Sequence, residues 1–341
     1  MTETISRADL LKLMDEIGER PDAAQYRRLS DLVMDDPVAH SLAGMDPFSP
    51  EYRQAAIGLY YDLRGRSDGY DAARDEANTE PLTTDLFRGP SPWGFQDPNL
   101  AAEFLHCWGH MIRRLELTPG AGESVLEYGP GSGQLMLTLA RLGVKAHAVD
   151  IDVTALESIR QQAAAMGLTV ETERAGFGEG FKGKTFDRIV FFEAFHHALE
   201  FETLLARLQK RLKPGGIIVF CGEPVVGHPV PAVPFPWGPR LDALSIFCIR
   251  RYGWMELGFT HDFFVEALRR AGWRAELHVF EASGRANIYT ARRESELPPP
   301  EPKPEPVTTP EAPPADGSPQ TFSFSYKLRW KLGRLLGLPM R

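Results

Sequence analysis

From residue 123 onward, short apolar runs alternate with amphipathic helical patterns, and this alternation restricts the fold more than any other feature. Seven runs have the length and composition of strands: residues 124–128, 146–149, 169–173, 186–192, 216–222, 274–280 and 287–291. Helical patterns separate most of them, at residues 134–142, 153–166, 202–212 and 261–271. Strands that alternate with helices in this way predict an α/β fold whose parallel sheet is covered on both faces.

A glycine-rich loop follows the first predicted strand and precedes a predicted helix. Gly129, Gly131 and Gly133 are spaced two residues apart, and glycine permits both a tight turn and the close approach of a ligand. Open α/β sheets bind ligands at the carboxyl ends of their strands, which is where this loop lies. The spacing differs from the Gly-x-Gly-x-x-Gly pattern of dinucleotide sites. Glu127, just before the loop, would repel a pyrophosphate and favours a ligand that carries an ammonium group.

A second carboxylate, Asp150, ends the next predicted strand. It follows the glycines by about 20 residues, where an acidic side chain can accept hydrogen bonds from both ribose hydroxyls. The loop, Glu127 and Asp150 together favour S-adenosylmethionine over NAD as the ligand. The alternative interpretation is a tight turn that binds nothing.

Three further segments, residues 185–192, 212–219 and 258–273, extend the pattern. With the glycine loop and Asp150 they resemble the class I S-adenosylmethionine-dependent methyltransferases, over about residues 120–293. The resemblance implies a Rossmann-like sheet of seven strands, the last one antiparallel. It also implies that Glu127 and the backbone of Gly129, Gly131 and Gly133 hold the methionine part of the cofactor, and that Asp150 holds the ribose.

The segment after the third strand departs from the family pattern. Many relatives have an acid there that meets the adenine amino group, whereas residues 174–179 of this chain contain Phe177. We therefore predict that Phe177 covers the face of the adenine.

The fourth predicted strand ends in Glu193, His196 and His197, which we predict to be the catalytic residues. An alcohol acceptor needs a base, and histidine titrates near neutral pH. Packing without a chemical role is one alternative. A metal site is another, because Glu-x-x-His-His resembles the Glu-x-x-Glu-His of metal-dependent relatives, with Glu223 or His228 as further ligands. His196 replaces the second acid of that pattern and magnesium prefers oxygen ligands, so we do not favour a divalent metal and assign no metal ligands.

A long insert, residues 224–260, follows the fifth predicted strand. We predict that its Trp237, Arg240, Asp242 and Tyr252 bind the acceptor, because aromatic rings beside charged groups suit the faces and hydroxyls of sugars. An extension of the buried core would use the same aromatic residues. Residues 236–242 also resemble segments of methyltransferases from bacterial surface-polysaccharide pathways.

These features lead to three functional hypotheses. The first is an O-methyltransferase acting on a saccharide hydroxyl of a bacterial surface or lipid-linked glycan. The second is a methyltransferase of a small quinone-like or other metabolite, with or without assistance from a metal. The third is a non-catalytic binding module in a membrane-associated assembly.

Composition divides the chain into four parts. Residues 1–118 carry mostly helical patterns and form a predicted cap or substrate domain, with Tyr70, Trp93 and Phe95 as candidates to close the pocket. Residues 119–293 form the methyltransferase domain. Residues 294–320 contain ten prolines and are predicted to be a disordered, extended linker. Residues 321–341 carry five basic residues and no acid, interleaved with apolar ones, a pattern typical of an amphipathic helix on a membrane surface.

Charge and cysteine content restrict partners and location. The net charge of −8 argues against a nucleic-acid partner. The three cysteines are too few for a disulfide framework and fit a reducing compartment. The charged first twenty residues do not resemble a signal peptide, and no apolar run reaches the roughly 18 residues of a membrane span. We therefore predict a cytoplasmic protein, peripheral to the inner membrane if its C-terminal segment binds there.

Overall fold

The computed structural model describes residues 3–17, 25, 28, 29, 31–66, 68–77 and 86–298. The predicted C-terminal amphipathic segment and all but the first five residues of the predicted linker lie outside the described residues. Within the described part, no helix combines the length and the apolar character needed to cross a bilayer.

The strands and helices are numbered here in chain order. The strands are β1 (Glu3–Ser6), β2 (Leu32–Asp35), β3 (Ser124–Tyr128), β4 (Lys145–Asp150), β5 (Val170–Arg174), β6 (Phe186–Phe192), β7 (Leu212–Cys221), β8 (Val225–Val226), β9 (Trp237–Pro239), β10 (Leu257–Thr260), β11 (Trp273–His278) and β12 (Ile288–Arg293). The α-helices are α1 (Arg7–Ile17), α2 (Pro37–Leu42), α3 (Pro50–Arg64), α4 (Ala72–Asp75), α5 (Pro98–Arg114), α6 (Gln134–Arg141), α7 (Val153–Ala165), α8 (Phe201–Leu208), α9 (Ala243–Tyr252) and α10 (His261–Arg270).

Seven of these strands form one sheet in the order β11-β12-β7-β6-β3-β4-β5. Neighbouring strands from β7 to β5 run parallel, whereas β12 is antiparallel to both β7 and β11. The predicted α/β class, the seven strands and the antiparallel last strand are therefore confirmed. All five residues of β3 are buried, as expected for a central strand covered on both faces.

The fifth strand of the sheet begins earlier than the sequence predicts. The predicted run is 216–222, whereas β7 begins at Leu212 and includes Gly215 and Gly216. Phe186 pairs with Leu212 and Arg188 with Ile217, so the intervening residues form an irregularity within the pairing. Glycines tolerate such local irregularities in a strand better than other residues do.

The two faces of the sheet carry different layers. Helices α5, α6 and α7 share a core with Val125, Val190 and Val219 on one face. Helices α8 and α10 cover the other face, where they share a core with Leu126 and Ile189. Alternate residues of the central strands therefore enter different cores, as the two-residue period of a strand requires.

The N-terminal region continues the second core. Helix α3 packs against α9 of the insert, and the hydroxyl of Tyr52 donates a hydrogen bond of 2.6 Å to the carbonyl oxygen of Trp237. The parallel pair of β1 and β2, which the sequence did not predict, lies in the same region. Helices α1, α2 and α3 and the insert therefore belong to one packed layer beside the sheet, while α5 lies on the opposite face.

The insert is ordered. It contributes α9 and a small sheet in the order β8-β10-β9. Asp242 begins α9 as its N-cap by accepting the backbone N–H of Ser245 at 3.0 Å. Such an insert is a structural wall rather than an irregular loop.

Candidate active site

A cavity of about 590 Å³ lies at the carboxyl ends of the central parallel strands. Of the predicted cofactor residues, five line it: Glu127, Gly129, Gly131, Asp150 and Phe177. Gly133, two residues after Gly131, is not among the lining residues and is the N-cap of α6. The structure therefore brings the predicted cofactor residues together at the sheet edge where the sequence located them.

The three loop glycines have φ angles in the left-handed region, 68° at Gly129, 56° at Gly131 and 74° at Gly133. A Cβ on Gly129 would lie 2.9 Å from the Cβ of Ala194. A Cβ on Gly133 would lie 2.4 Å from a side-chain carbon of Ile159. Gly129 thus keeps the loop close to the turn after β6, whereas Gly133 lets α6 pack against α7.

Glu127 supplies a buried carboxylate to the cavity. It is 1% exposed, and its Oε2 has no hydrogen-bond partner among the described residues. Burial, reinforced by the nearby charge of Asp150, raises the pKa of Glu127 to about 8. Buried polar atoms are nearly always hydrogen-bonded, so this oxygen is suited to a donor from a bound molecule. The ammonium group of S-adenosylmethionine fits that requirement.

Asp150 lies at the end of β4 and its position is fixed locally. Its Oδ1 accepts the backbone N–H of Asp152 at 2.9 Å, and Asp152 in turn caps α7 through the N–H of Thr154. The strand end and the helix start therefore hold Asp150 at the cavity wall, as a ribose-binding carboxylate requires.

Phe177 borders the cavity with its ring against other aromatic rings. Its centroid lies 6.1 Å from that of Tyr128 and 5.7 Å from that of Phe191, both in edge-on arrangements. These contacts fix the plane of the ring, which is a condition for stacking on a flat ligand.

The turn after β6 is held by one carboxylate. Glu223 accepts the backbone N–H groups of Ala194 at 2.9 Å, Phe195 at 3.0 Å and His196 at 3.1 Å, and its Oε2 lies 2.8 Å from Nδ1 of His196. Glu223 was considered above as a metal ligand. Its two oxygens instead anchor the turn that carries His197.

Glu193 begins this turn in an unusual conformation. Its φ is +50°, and a Cβ on the neighbouring Gly222 would lie 2.7 Å from Cγ of Glu193. Its carboxylate lies 3.2 Å from the guanidinium of the buried Arg285, so Glu193 lines the cavity as one half of an ion pair. Left-handed backbone at a non-glycine residue costs free energy and often occurs at functional sites.

The two histidines lie in different environments. His196 is 3% exposed and does not line the cavity; its Nε2 lies 3.7 Å from Oε2 of Glu256, which also binds the guanidinium of Arg240. His197 lines the cavity, with its Nδ1 3.1 Å from Oε2 of Glu76.

Glu76 is part of the site, although no motif in the sequence identified it. Its Oε1 accepts the hydroxyl of Tyr70 at 2.9 Å and the backbone N–H of Met255. Tyr70 and Glu76 both line the cavity, so the predicted contribution of Tyr70 agrees with its position. Glu76 is 121 residues from His197 in the chain, and this pairing depends on the tertiary structure.

The donor atoms of His196, His197 and Glu256 lie within 4.8 Å of one another. Two imidazoles and a carboxylate are a donor set that transition metals accept. The guanidinium of Arg240 already provides a positive charge to Glu256, so this group does not depend on an ion for charge compensation. Glu193, the other residue of the metal pattern, pairs with Arg285 instead.

The four residues predicted to bind the acceptor do not line the cavity. Trp237 is 1% exposed and donates its indole N–H to the carbonyl of Pro47 at 3.0 Å. Arg240 pairs with Glu256, Asp242 caps α9, and Tyr252 packs against Trp254 with ring centroids 5.0 Å apart. The insert does reach the cavity through Trp254, which the sequence did not distinguish from its other aromatic residues.

Aromatic rings line the cavity beyond the cofactor residues. Phe104 and Trp108 of α5 and Phe192 at the end of β6 form one wall, with centroids 5.4 Å apart for Phe104 and Phe192 and 6.0 Å for Phe104 and Trp108. Tyr70 and Trp254 lie on the side of His197. The cavity lining therefore combines carboxylates with several aromatic rings. Trp93, another pocket candidate, contacts Trp108 and is 44% exposed.

Comparison with known proteins agrees with this geometry. Residues 126–220 match the family model described as a methyltransferase domain. The protein-L-isoaspartate O-methyltransferase of Methylorubrum extorquens (strain PA1) is 35% identical over 118 residues, which are 35% of this chain and 49% of the relative. The ubiquinone biosynthesis O-methyltransferase of Chelativorans sp. (strain BNC1) is 30% identical over 102 residues, 29% of this chain and 40% of the relative.

Among solved structures, the CcbJ methyltransferase from Streptomyces caelestis aligns with a TM-score of 0.40 and 20% identity, over 55% of this chain and 89% of that one. The chain spans about half or less of the length of the two curated relatives.

Proposed function

We propose that this chain, whose residues 126–220 match a methyltransferase domain, is a class I S-adenosylmethionine-dependent methyltransferase that transfers the methyl group to a hydroxyl group of a small acceptor. The observation that carries the proposal is the buried carboxylate of Glu127 in the same cavity as the glycine loop and Asp150. This combination offers one group for the ammonium, one for the ribose and a glycine-rich loop for the sulfonium region between them.

The proposed chemistry needs little beyond orientation and a base. Transfer from a sulfonium is an in-line displacement, in which positioning supplies much of the rate enhancement. A neutral hydroxyl is a poor nucleophile, so a base must take its proton. His197 is our candidate base. Its position on the cavity wall and the carboxylate of Glu76, 3.1 Å from Nδ1, support the assignment, because a carboxylate beside Nδ1 favours the tautomer with the proton there and leaves Nε2 to accept another.

For the acceptor we favour a small molecule with a flat, largely apolar body, such as a hydroxylated ring. The support comes from the aromatic side chains of Phe104, Trp108, Phe192 and Trp254 on the cavity wall. The curated relatives include O-methyltransferases of ubiquinone biosynthesis, which agrees with this choice. A saccharide hydroxyl is the second candidate: Trp254 could stack on a sugar face, but Trp237, Arg240 and Asp242, on which that hypothesis was based, are buried in the wall.

The acceptor class is tested by incubating the full chain with S-adenosylmethionine labelled in its methyl group. One panel contains phenols and catechols, and a matched panel contains glycosides of similar size; mass spectrometry locates the label. We expect label on a ring hydroxyl. Label on glycosides alone would favour the saccharide hypothesis. Absence of S-adenosylmethionine binding in calorimetry would reject the enzyme and support the non-catalytic binding module.

We also propose that residues 321–341 contact an anionic membrane surface. The support is their sequence, five basic residues interleaved with apolar ones.

A further inference from the structure

We infer that the buried ion pair of Arg64 and Asp75 is a positioning device, which sets Glu76 and through it the imidazole of His197. The inference rests on the proposed function, since it concerns the base of the proposed transfer. Neither Arg64 nor Asp75 lines the cavity. Their role would follow from the contacts that connect them to residues that do.

The buried carboxylate of Asp75 accepts hydrogen bonds from two arginine side chains and from the backbone. Its side chain is 1% exposed, and its Oδ1 lies 2.7 Å from Nη2 of Arg64, whose side chain is 0% exposed. Oδ2 accepts the backbone N–H of Asp71 and a guanidinium N–H of Arg74, both at 2.9 Å. Arg64 also donates to the carbonyl oxygen of Asp68 at 2.7 Å. Arg64 thus contacts both ends of the segment 68–75, through the carbonyl oxygen of Asp68 and the carboxylate of Asp75.

The insert packs directly on this pair. Gly253 has a φ of +85°, and a Cβ there would lie 3.2 Å from both Nε of Arg64 and Oδ1 of Asp75. The hydroxyl of Tyr60 donates to the carbonyl oxygen of Gly253 at 2.6 Å. Left-handed backbone and the close approach both require glycine at this position. The ion pair therefore fixes the position of residue 253 as well as that of residues 68–75.

Two residues that directly follow this cluster in the chain line the cavity: Glu76 follows Asp75, and Trp254 follows Gly253. Met255, two residues after Gly253, donates its backbone N–H to Glu76. Trp254, between Gly253 and Met255, lies beside His197 on the cavity wall, and the centroids of the two rings are 6.1 Å apart. A shift of Asp75 would therefore move Glu76 and its backbone donor together.

Stability alone is a weak explanation for a buried ion pair. Removing two charges from water is costly, and apolar residues of similar volume often stabilise a protein as well or better. In some proteins a buried ion pair provides conformational specificity, and the contacts of this pair with the residues beside Glu76 and Trp254 favour that role here. The structure offers a matched comparison: Arg7 pairs with Asp36, whose side chain is 0% exposed and caps α2 in the same N-terminal layer. Among the described residues, the hydrogen bonds and ion pairs of Arg7 and Asp36 go to other parts of the N-terminal layer, such as Asp62 and the backbone of Val38.

The test compares Asp75→Asn, Glu76→Gln, the double variant and Asp36→Asn in the full chain. We expect kcat to fall about 10- to 100-fold in Asp75→Asn and in Glu76→Gln, with the KM for S-adenosylmethionine unchanged. The double variant should be no slower than Glu76→Gln, because residues that act through one another are not additive. Asp36→Asn should melt at a lower temperature and keep the kcat of the wild type. Equal kcat in Asp75→Asn and the wild type, or losses that multiply in the double variant, would overturn the inference.

A second measurement does not require turnover. Nitrogen NMR shifts of the His197 ring should report a proton on Nδ1 in the wild type and in Asp36→Asn, and a mixture of tautomers in Asp75→Asn and Glu76→Gln. If no acceptor is methylated but the tautomers change in this way, the proposed function fails and the positioning inference stands. A tautomer unchanged in Asp75→Asn would refute the inference. Should Asp75→Asn not fold, Arg64→Lys, which keeps the charge with fewer donors, takes its place with the same expected outcomes.

Discussion

The imidazole rings of His196 and His197 lie 4.2 Å apart, yet His197 lines the cavity and His196 is enclosed by Glu223 and Glu256. Adjacent residues point to different surroundings because they lie in a tight 3-10 turn, Phe195–His197. The sequence indicates both histidines as candidates, but it does not show how their surroundings differ. The different partners of the two rings make those roles testable.

His197→Ala should lower kcat by about 100- to 10,000-fold, the usual contribution of a general base, because the hydroxyl proton then has no acceptor. The affinity for S-adenosylmethionine should stay unchanged. Steady-state kinetics and calorimetry measure the two quantities. His196→Ala is the informative comparison: it removes a ring between two buried carboxylates and should mainly reduce thermal stability. A larger loss of kcat per folded molecule in His196→Ala would reverse our assignment.

Glu127→Gln should weaken binding of S-adenosylmethionine about tenfold or more, because a neutral amide replaces the carboxylate that meets the ammonium. With a pKa of about 8, Glu127 is mostly protonated at pH 7 in the ligand-free protein. Binding an ammonium favours the ionised form, so close to one proton should be released. Calorimetry in buffers of different ionisation enthalpy measures that release.

The control for this experiment is Glu127→Gln itself, which has no carboxyl proton at this position and should release far fewer protons on binding.

The pH dependence of stability provides a further check on the burial of Glu127. Because the folded-state pKa of Glu127 lies above its ordinary value of 4.5, the unfolded wild type loses its proton first as the pH rises. The free energy of unfolding of the ligand-free wild type should therefore fall relative to Glu127→Gln between about pH 4.5 and 8. Parallel pH profiles would contradict the burial of this charge.

Asp150→Ala should weaken S-adenosylmethionine binding by about 10- to 100-fold, since hydrogen bonds to a charged acceptor contribute about 1.5–3 kcal/mol. The loss should be much smaller for a ligand that lacks the ribose hydroxyls. Asp46→Ala removes a comparable local bond, from the N–H of Phe48 at 3.0 Å, away from the cavity. It should bind as the wild type does. Equal affinities of Asp150→Ala and Asp46→Ala would refute the ribose assignment.

Much of the sheet could be predicted because strands that are buried on both faces consist of nearly continuous apolar residues. The predicted limits of β3 and β6 agree with the structure, and the glycine loop, Glu127 and Asp150 meet at one edge because parallel strands end together. Local pattern therefore located the cofactor half of the site.

The acceptor half could not be predicted in the same way. Glu76 and Trp254 reach the cavity through contacts between distant parts of the chain, and neither lies in a recognisable motif. The prediction for Trp237 and Arg240 followed from residue type, and aromatic and charged residues serve equally well in a buried wall. Trp237 packs against the N-terminal layer. The sequence predicts helices in that region but does not indicate where those helices pack.

Asp187→Asn should reduce stability at neutral pH by roughly 1 kcal/mol once solvent screening is considered. Burial alone would raise the pKa of Asp187, but Lys213 and the donors of Ser124 lower it to about 2. Since this value lies below the ordinary 3.8, the stabilisation is present above about pH 4 and is lost as the pH falls toward 2. Urea unfolding of the wild type and Asp187→Asn at pH 7, 5 and 3 should give curves that converge. A difference that grows toward low pH would show that the ion pair with Lys213 is not its source.

Deletion of residues 321–341 should leave the catalytic constants unchanged and reduce binding to vesicles that contain anionic lipid. Each basic residue near such a surface contributes on the order of 1 kcal/mol, so losing five should lower the partition coefficient by several orders of magnitude at low salt. Vesicle sedimentation at increasing salt measures this, with neutral vesicles as the control. A variant in which the same five basic residues are replaced by glutamine separates charge from apolar contact. Retention of vesicle binding by the deleted chain, or equal binding to neutral vesicles, would exclude this segment as an electrostatic membrane contact.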